Sequence, residues 1–313
     1  MKTYIFDPIS DEALAYAKQY LDVVTWDDPA IQNAADAEAV IVRTYVMDKE
    51  KIDAMPKLRI IAKHGVGTDN IDIPYAASKG ILVTNTPTAN SNSVAELIIG
   101  LILDCARKIT YSHEACMEGL ERNQPMFLSG QEISGKKAGL IGIGHIGAIV
   151  GKRLKGGFDM DVLAYDPFLG REKTEAMGFS YTDDVTDIYK TCDVVSVSVP
   201  LNDQTRNMIS SSELAMCKKN AIIINASRGG IVNEHLSQAL ADGEIFSAAV
   251  DAWVVEPVQK DHELFRQKNF VGTPHNGANT REALINMGTG AVDEILRVAR
   301  DEPTLTNLGL RVK

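Results

Sequence analysis

Short runs of β-branched and aliphatic residues recur along the chain at 3–6, 22–25, 39–42, 59–62 and 81–83, with stretches of helical composition between them. Strands separated by helix-length spacers predict βαβ units, and βαβ units predict a parallel sheet. A second series, at 138–143, 161–165, 194–199, 221–225, 248–251 and 270–272, repeats the pattern. Two α/β domains are therefore expected. Between the series stands Ser93-Val94-Ala95-Glu96, an S-x-x-E spacing that predicts a helix start with reciprocal capping of free amides. The run that follows, Leu97-Ile98-Ile99-Gly100-Leu101-Ile102-Leu103, is apolar around its whole circumference. Burial on all sides is expected for it, at a domain junction or against another subunit. Asn279-Thr280-Arg281-Glu282 resembles a second capping box, and Leu284, Met287, Ala291, Ile295 and Val298 then mark one helix face.

Composition narrows the function classes. A chain of 313 residues exceeds the usual single domain, and 45% hydrophobic with 24% charged residues is ordinary for a globular protein, which excludes disorder and disulfide scaffolds. The formal net charge is −10 and there is no basic run, so nucleic acid is not an expected partner. The longest aliphatic run is far short of the ~20 residues that cross a bilayer, so no membrane association is expected. The N-terminus Met1-Lys2-Thr3-Tyr4-Ile5-Phe6-Asp7 meets an acid too early for a secretory signal, and a cytoplasmic location is expected. Cys105, Cys116, Cys192 and Cys217 form no C-x-x-C pair and read as buried reduced thiols; no metal set is expected.

The strand-like Ala138-Gly139-Leu140-Ile141 leads into Gly142-Ile143-Gly144-His145-Ile146-Gly147 and then a helical stretch. Asp166 ends the next strand, 19 residues after the third glycine, as a dinucleotide-binding unit requires. Gly142 allows the tight turn, Gly144 lets the amides approach a pyrophosphate, and Gly147 permits close helix–strand packing. His145 and Ile146 would contribute through their backbone, His145 as an exposed side chain. Asp166 can accept from ribose hydroxyls and would repel a 2′-phosphate, which favours NAD over NADP.

Three further residues follow predicted strands, where open α/β sheets place ligands. Arg228 lies in Asn225-Ala226-Ser227-Arg228-Gly229-Gly230, Glu256 follows the strand ending near Asp251, and His275 follows Thr273-Pro274. A guanidinium there can fork onto a carboxylate, and a histidine oriented by a carboxylate is a proton-transfer group.

These residues, with Lys63-His64-Gly65-Val66-Gly67-Thr68-Asp69-Asn70-Ile71-Asp72, Gly135-Lys136-Lys137, Asp251-Ala252 and Glu256-Pro257, resemble the D-isomer-specific 2-hydroxyacid dehydrogenases. The similarity is greatest to the phosphoglycerate dehydrogenase branch, in a short form without a C-terminal regulatory domain. The resemblance implies that His275 is the acid/base, that Glu256 supports it, and that Arg228 binds the substrate carboxylate and carbonyl. It further implies that Val66 and Gly67 hold the carboxylate by their backbone, that Asp251 faces the nicotinamide amide, and that Pro200 lines its pocket. The implied architecture is two doubly wound parallel-sheet domains. A Rossmann NAD domain (104–281) is inserted into a discontinuous flavodoxin-like substrate domain (1–103 and 282–313), and members are commonly homodimers. Two departures stand out: Arg122-Asn123-Gln124-Pro125-Met126-Phe127 replaces a Gly-x-Trp element, and Asn276-Gly277-Ala278 follows His275 where Ile-Ala-Gly or Ile-Gly-Gly is common.

The implied activity is interconversion of a 2-hydroxy acid and a 2-keto acid, with 3-phosphoglycerate and 3-phosphohydroxypyruvate as the first expected pair. Arg43 and Lys63 could supply positive charge for a second anionic group, or be a solvated pair. A general 2-keto acid reductase, an NAD-sensing corepressor-like binding protein, and a formate dehydrogenase are the other readings. The last family pairs its histidine with glutamine, where this chain has Glu256. Closure of an interdomain hinge near Leu103 and Arg281 is also expected.

Overall fold

The computed structural model describes residues 1–119 and 129–311; the Arg122 to Phe127 departure therefore lies outside the described residues. The chain divides into two compact units, Met1–Ser91 with Ala278–Lys313, and Asn92–Gly277. These divisions fall near the starts of two helices, Ser91–Arg107 and Arg281–Ala299.

The first unit opens with β1 (Lys2–Ile5), α1 (Asp11–Tyr20), β2 (Asp22–Val24), β3 (Ala39–Val42), α2 (Lys49–Asp53), β4 (Ile60–Lys63), α3 (Ile73–Ser78) and β5 (Leu82–Thr84). Its five strands are all parallel in the order β2-β1-β3-β4-β5, the flavodoxin-like arrangement. A strand alternates its side chains, so Ile5, Ile41, Ile60 and Ala62 bury one face while Tyr4, Val40, Val42 and Ile61 bury the other. Near-continuous apolar strands are what a sheet covered on both sides demands.

The second unit contains α4 (Ser91–Arg107), α5 (Ile109–Met117), β6 (Lys137–Ile141), α6 (His145–Phe158), β7 (Asp161–Tyr165), α7 (Gly170–Ala176), β8 (Ser180–Tyr181), α8 (Val185–Thr191), β9 (Val194–Val197), α9 (Ser211–Met216), β10 (Ile222–Asn225), α10 (Leu236–Ala241), β11 (Ser247–Val250) and β12 (Phe270–Gly272). Its sheet runs β12-β11-β10-β9-β6-β7-β8, again entirely parallel. The order reverses between β6 and β9, the crevice where doubly wound sheets bind ligands. Ile222, Ile224 and Ala249 pack in one core with Ile98, Ile102 and Leu154, while Ile223, Ala248 and Val250 pack in the other with Ile188, Leu214 and Leu236. The final helix, α11 (Arg281–Ala299), belongs to the first unit, where Ala291, Val292 and Ile295 pack with Ala13 and Ala17.

Several local expectations are corrected. Helix α4 begins at Ser91, so Ser93 sits inside its first turn and donates from Oγ to the Gly277 carbonyl at 2.6 Å, while Glu96 pairs with Arg153 at 3.3 Å. No capping box forms there; one forms instead at Ser210 and Glu213. Within this one chain, helix α4 buries Ile98, Leu101 and Ile102, while Leu97, Ile99 and Leu103 are half-buried and Gly100 is exposed. Thr280, not Asn279, caps α11, its Oγ1 accepting from the Ala283 amide. Cys105 and Cys192 are buried, with burial pushing their thiols up to about 12 and about 11, but Cys116 is exposed.

Candidate active site

In the second unit, Asn225, Val250 and Gly272 lie on neighbouring strands in register, so the loops that follow them leave one sheet edge side by side. Arg228, Glu256 and His275 come from these three loops. Each loop is anchored by a buried polar residue. Asn225, 2% exposed, donates from Nδ2 to the Arg228 carbonyl at 2.9 Å and accepts at Oδ1 from the Ser227 hydroxyl at 2.8 Å. Gly229 must be glycine: a Cβ there would lie 2.1 Å from the Trp253 carbonyl carbon, so a side chain would push apart the loops that carry Arg228 and Glu256. The Arg228 guanidinium donates to the Ser227 carbonyl at 2.7 Å.

Asp251, 1% exposed, accepts from the Thr273 hydroxyl and the Asn276 amide, each at 2.6 Å, and from the Gly277 amide at 2.9 Å. Its carboxylate therefore grips both sides of His275, whose own amide donates to the Asp251 carbonyl at 2.8 Å. That grip holds His275 at φ 53°, a left-handed conformation costing a non-glycine residue about 1 kcal/mol or more. His275 Nδ1 then lies 2.8 and 2.9 Å from the two oxygens of Glu256. Glu256 also accepts from the Trp253 amide at 3.0 Å, and Trp253 Nε1 donates to the Thr273 carbonyl at 2.8 Å. An ionised Glu256 makes Nδ1 the protonated nitrogen and leaves Nε2 for proton exchange. Asn225, Thr273 and Trp253 are the positioning residues that sequence reasoning did not single out. A polar residue closing an apolar strand, as Asn225 does, was the available signal. Asn276 is exposed, its amide held by Asp251.

The glycine loop leaves β6 on the other side of the crevice. Gly142 has φ 85°, and a Cβ on it would lie 2.5 Å from the Ser198 carbonyl oxygen; Gly147 is buried with 2.2 Å of room to the Gly142 oxygen. Gly144 instead faces open space and begins the 14-residue α6 with no side-chain cap, and His145 beside it is exposed. The first amides of α6, at His145 and Ile146, have no partner within the helix. An open, glycine-floored cradle at the positive end of a helix fits a pyrophosphate. Asp166 accepts from the Ile143, Phe168 and Leu169 amides, each at 3.0 Å, which ties the glycine turn to the turn after β7. Arg171 is engaged with Glu175 and the Tyr181 ring. Pro200, after β9, is exposed and its carbonyl accepts from the Thr205 hydroxyl at 2.6 Å.

The remaining candidates lie in the first unit. Lys63 is no solvated cation: it is 7% exposed, and its ammonium donates to the Arg43 carbonyl and Asn70 Oδ1. Asn70 in turn donates to the Tyr45 carbonyl at 2.6 Å, so Lys63 braces the loops after β3 and β4. Arg43 is half-exposed, with its amide donating to Asp7 Oδ2 at 2.6 Å. Burial acts to raise the Asp7 carboxyl, but the Thr44 hydroxyl and the amides of Arg43 and Tyr45 outweigh it and hold it below the usual range. Beside Lys63, His64 is 2% exposed, and burial, with the Arg43 charge second, pushes it down to about 4. Val66 and Gly67 are half-buried in the loop that follows, where the Val66 carbonyl accepts from Asn85 at 2.8 Å.

Residues 99–277 match the family model described as D-isomer specific 2-hydroxyacid dehydrogenase, NAD binding domain. The chain belongs to this family. It is 38% identical over 308 residues to a D-3-phosphoglycerate dehydrogenase of Methanocaldococcus jannaschii, covering 96% of this chain and 58% of that one. The chain thus spans about three-fifths of the length of the phosphoglycerate dehydrogenases it matches. Among solved structures, an NADPH-dependent glyoxylate/hydroxypyruvate reductase from Sinorhizobium meliloti superposes with a TM-score of 0.87 at 27% identity, covering 98% of this chain and 97% of that one. A D-lactate dehydrogenase with NAD+ from Lactobacillus jensenii gives 0.82 at 27% identity, covering 98% and 99%. The family's NAD-binding domain is therefore the second unit, and relatives of the same fold take NAD or NADPH.

Proposed function

We propose that this protein interconverts a 2-hydroxy acid and its 2-keto acid by hydride transfer, using NAD. The observation that carries this reading is the His275–Glu256 pair at 2.8 Å, on the sheet edge that also bears Arg228. A nicotinamide bound in the second unit would supply the hydride acceptor or donor. In oxidation His275 takes the C2 hydroxyl proton at Nε2 as hydride leaves C2; in reduction the imidazolium returns it to the carbonyl oxygen. Glu256 fixes the tautomer and stabilises the imidazolium. Arg228 orients the carboxylate, and its charge counts for more as negative charge builds on the carbonyl oxygen during reduction, so it contributes to rate as well as binding.

The glycine loop with His145 and Ile146 holds the pyrophosphate, Asp166 the ribose, Pro200 the nicotinamide ring and Asp251 its amide. The Asp166 carboxylate favours NAD over NADP through repulsion of a 2′-phosphate. Val66 and Gly67 hold the substrate carboxylate, a role resting on the resemblance. The substrate pair is 3-phosphoglycerate and 3-phosphohydroxypyruvate, supported by the 38% identity to phosphoglycerate dehydrogenases and by Arg43 as the second-anion contact. One observation favours the second reading, a general 2-keto acid reductase: the Lys63 ammonium is buried on internal acceptors. The protein acts as a cytoplasmic homodimer. The half-buried Leu97, Ile99 and Leu103 of α4 support a subunit contact, and the free thiols fit a reducing compartment; among the described residues no helix is long and apolar enough to cross a membrane.

The test is NADH oxidation against 3-phosphohydroxypyruvate, hydroxypyruvate, glyoxylate, pyruvate and a branched keto acid, with His275→Ala as control. Preference for the phosphorylated acid that disappears in Arg43→Ala supports the first substrate. Broad turnover untouched by Arg43→Ala supports the general reductase. No turnover of any keto acid sinks both.

A further inference from the structure

Strands β4 and β5 pair in parallel with Ala62 opposite Thr84, so the loops that follow them leave one edge of the first unit's sheet side by side. The loop after β4 carries Val66 and Gly67, which the proposed function gives to the substrate carboxylate. Two residues after β5 hold that loop. Thr86, buried, donates from its amide to the Gly65 carbonyl at 3.0 Å, and its Oγ1 accepts from the Gly65 amide at 3.1 Å. Asn85 donates from Nδ2 to the Val66 carbonyl at 2.8 Å. In a trans peptide the C=O and N–H point opposite ways, so a carbonyl pinned on one side aims the next amide to the other. The Gly65 carbonyl thereby aims the Val66 amide, and the Val66 carbonyl the Gly67 amide, away from Asn85 and Thr86. Among the described residues neither amide donates to a protein acceptor, and both residues are half-buried. Two successive amides turned out from one edge are a donor pair for an anion.

Asn85 is in turn held from behind. Its amide donates to Thr306 Oγ1 and its carbonyl accepts from the same hydroxyl, each at 3.1 Å, so one side chain does for Asn85 what a neighbouring strand would. Thr306 lies in the segment that follows α11, and Glu294 of that helix, 4% exposed, fastens the segment. The Glu294 oxygens accept from the Leu305 amide at 3.2 and 3.0 Å, and Oε2 also accepts from the Thr306 amide at 3.5 Å. Arg297 Nε stands 3.7 Å from the same carboxylate. Further along, Leu308 is buried in the core that holds Ala76 and Val83. A hydrogen-bonded line therefore runs from Glu294 through Thr306 and Asn85 to Val66, entirely within the first unit. Burial of Leu308 secures the segment by apolar contact, which tolerates sliding. The paired Thr306 hydroxyl fixes the position of Asn85, and a binding site needs that precision.

We propose that Asn85 and Thr306 are positioning residues for the substrate, acting through Val66 and Gly67, with Glu294 as the anchor of the line. The proposal rests on the dehydrogenase reading, which assigns the substrate carboxylate to these two amides. The carboxylate is not altered by hydride transfer, so its contacts serve ground state and transition state alike, and weakening them raises KM while kcat holds. The test is steady-state kinetics of Thr306→Val, Thr306→Ser and Asn85→Ala with the keto acid that the wild type reduces best, together with residue-by-residue amide exchange. Thr306→Val keeps the side-chain shape and loses the hydroxyl. It and Asn85→Ala should each raise the keto-acid KM about tenfold, the worth of one hydrogen bond to a charged group, with kcat and the NADH KM unchanged. Thr306→Ser should restore the wild-type KM. The Gly65 and Thr86 amides should exchange faster in Thr306→Val and Asn85→Ala, while the Leu82 amide, bonded to the Arg59 carbonyl at the start of β5, keeps its rate. A wild type that reduces keto acids, with KM unmoved in both variants, overturns the proposal and leaves the dehydrogenase reading standing. An equal loss of affinity for keto acid and NADH, or a KM that Thr306→Ser fails to restore, marks a general loosening of the fold and also overturns it. A wild type that reduces no keto acid overturns the dehydrogenase reading, and the substrate role of the line with it.

Discussion

The loops that leave the C-terminal strand edges of the two units treat their ionisable groups in opposite ways. In the second unit the His275 and Glu256 side chains are 44% and 40% exposed, each bonded to the other, while the buried anchors behind them are Asn225 and Asp251. In the first unit the charge turns inward: Lys63 is buried on carbonyl and amide oxygens, His64 is buried and neutral, and Asp7 accepts backbone amides. A group that must exchange protons with a substrate has to keep a face open, whereas a group that knits loops together is best desolvated and saturated with partners. Motif residues of one family therefore stand open in one unit and buried on internal partners in the other.

The largest expected effect is on the open pair. His275→Gln should lower kcat by about a hundredfold to ten-thousandfold with the melting temperature nearly unchanged, because the side chain is exposed and its loss removes general acid–base catalysis; steady-state NADH oxidation and thermal melts check both halves. A comparable loss of stability would show the pair to be architectural too. Asp251→Ala should cost about 3 kcal/mol in denaturant unfolding and also depress turnover, since three donors lose one buried acceptor and the His275 loop loses its grip.

For the inward-turned groups the expected effects fall on stability. His64 has a folded value of about 4 against 6.5 unfolded, so between those values the unfolded chain binds a proton that the native one does not. Stability should then fall by about 3 kcal/mol as pH drops from 6.5 through 4, and His64→Leu should flatten that limb in pH-dependent unfolding. Asp7, depressed below its ordinary 3.8, adds its loss only under that value, so the two windows separate. The smallest effect expected is that of Lys63→Met, about 1–3 kcal/mol of stability from leaving the Arg43 carbonyl and Asn70 unpaired. As a brace, Lys63 should alter kcat/KM equally for phosphorylated and unphosphorylated keto acids; a loss confined to the phosphorylated one would make it a substrate contact after all.

Strand runs were legible because a doubly covered parallel sheet demands continuous apolar residues, and eleven of the twelve strands among the described residues lie where β-branched and aliphatic runs stand. The two-residue β8 escaped, being an edge strand too short for any pattern to register. Capping was less legible. Ser93-Val94-Ala95-Glu96 satisfies the capping spacing, yet α4 starts two residues earlier and its Ser93 hydroxyl bonds Gly277, a partner 184 residues away. The half-buried flank of α4 marks the same limit: a fully apolar run states that burial is favourable, not which neighbour supplies it.

The amino-acid sequence by itself determined the parallel architecture, the glycine turn with Asp166, and the types of residue available for proton transfer and carboxylate binding, because periodicity and spacing are properties of the local chain. Which ionisable groups remain available for chemistry was decided only in three dimensions. Lys63 and His275 look alike in sequence, each an ionisable residue following an apolar strand. The first meets the Arg43 carbonyl and Asn70 and is buried; the second is set in a left-handed turn by Asp251 and kept open against Glu256. Desolvation and partner geometry depend on contacts between residues distant in sequence, and no local pattern encodes them.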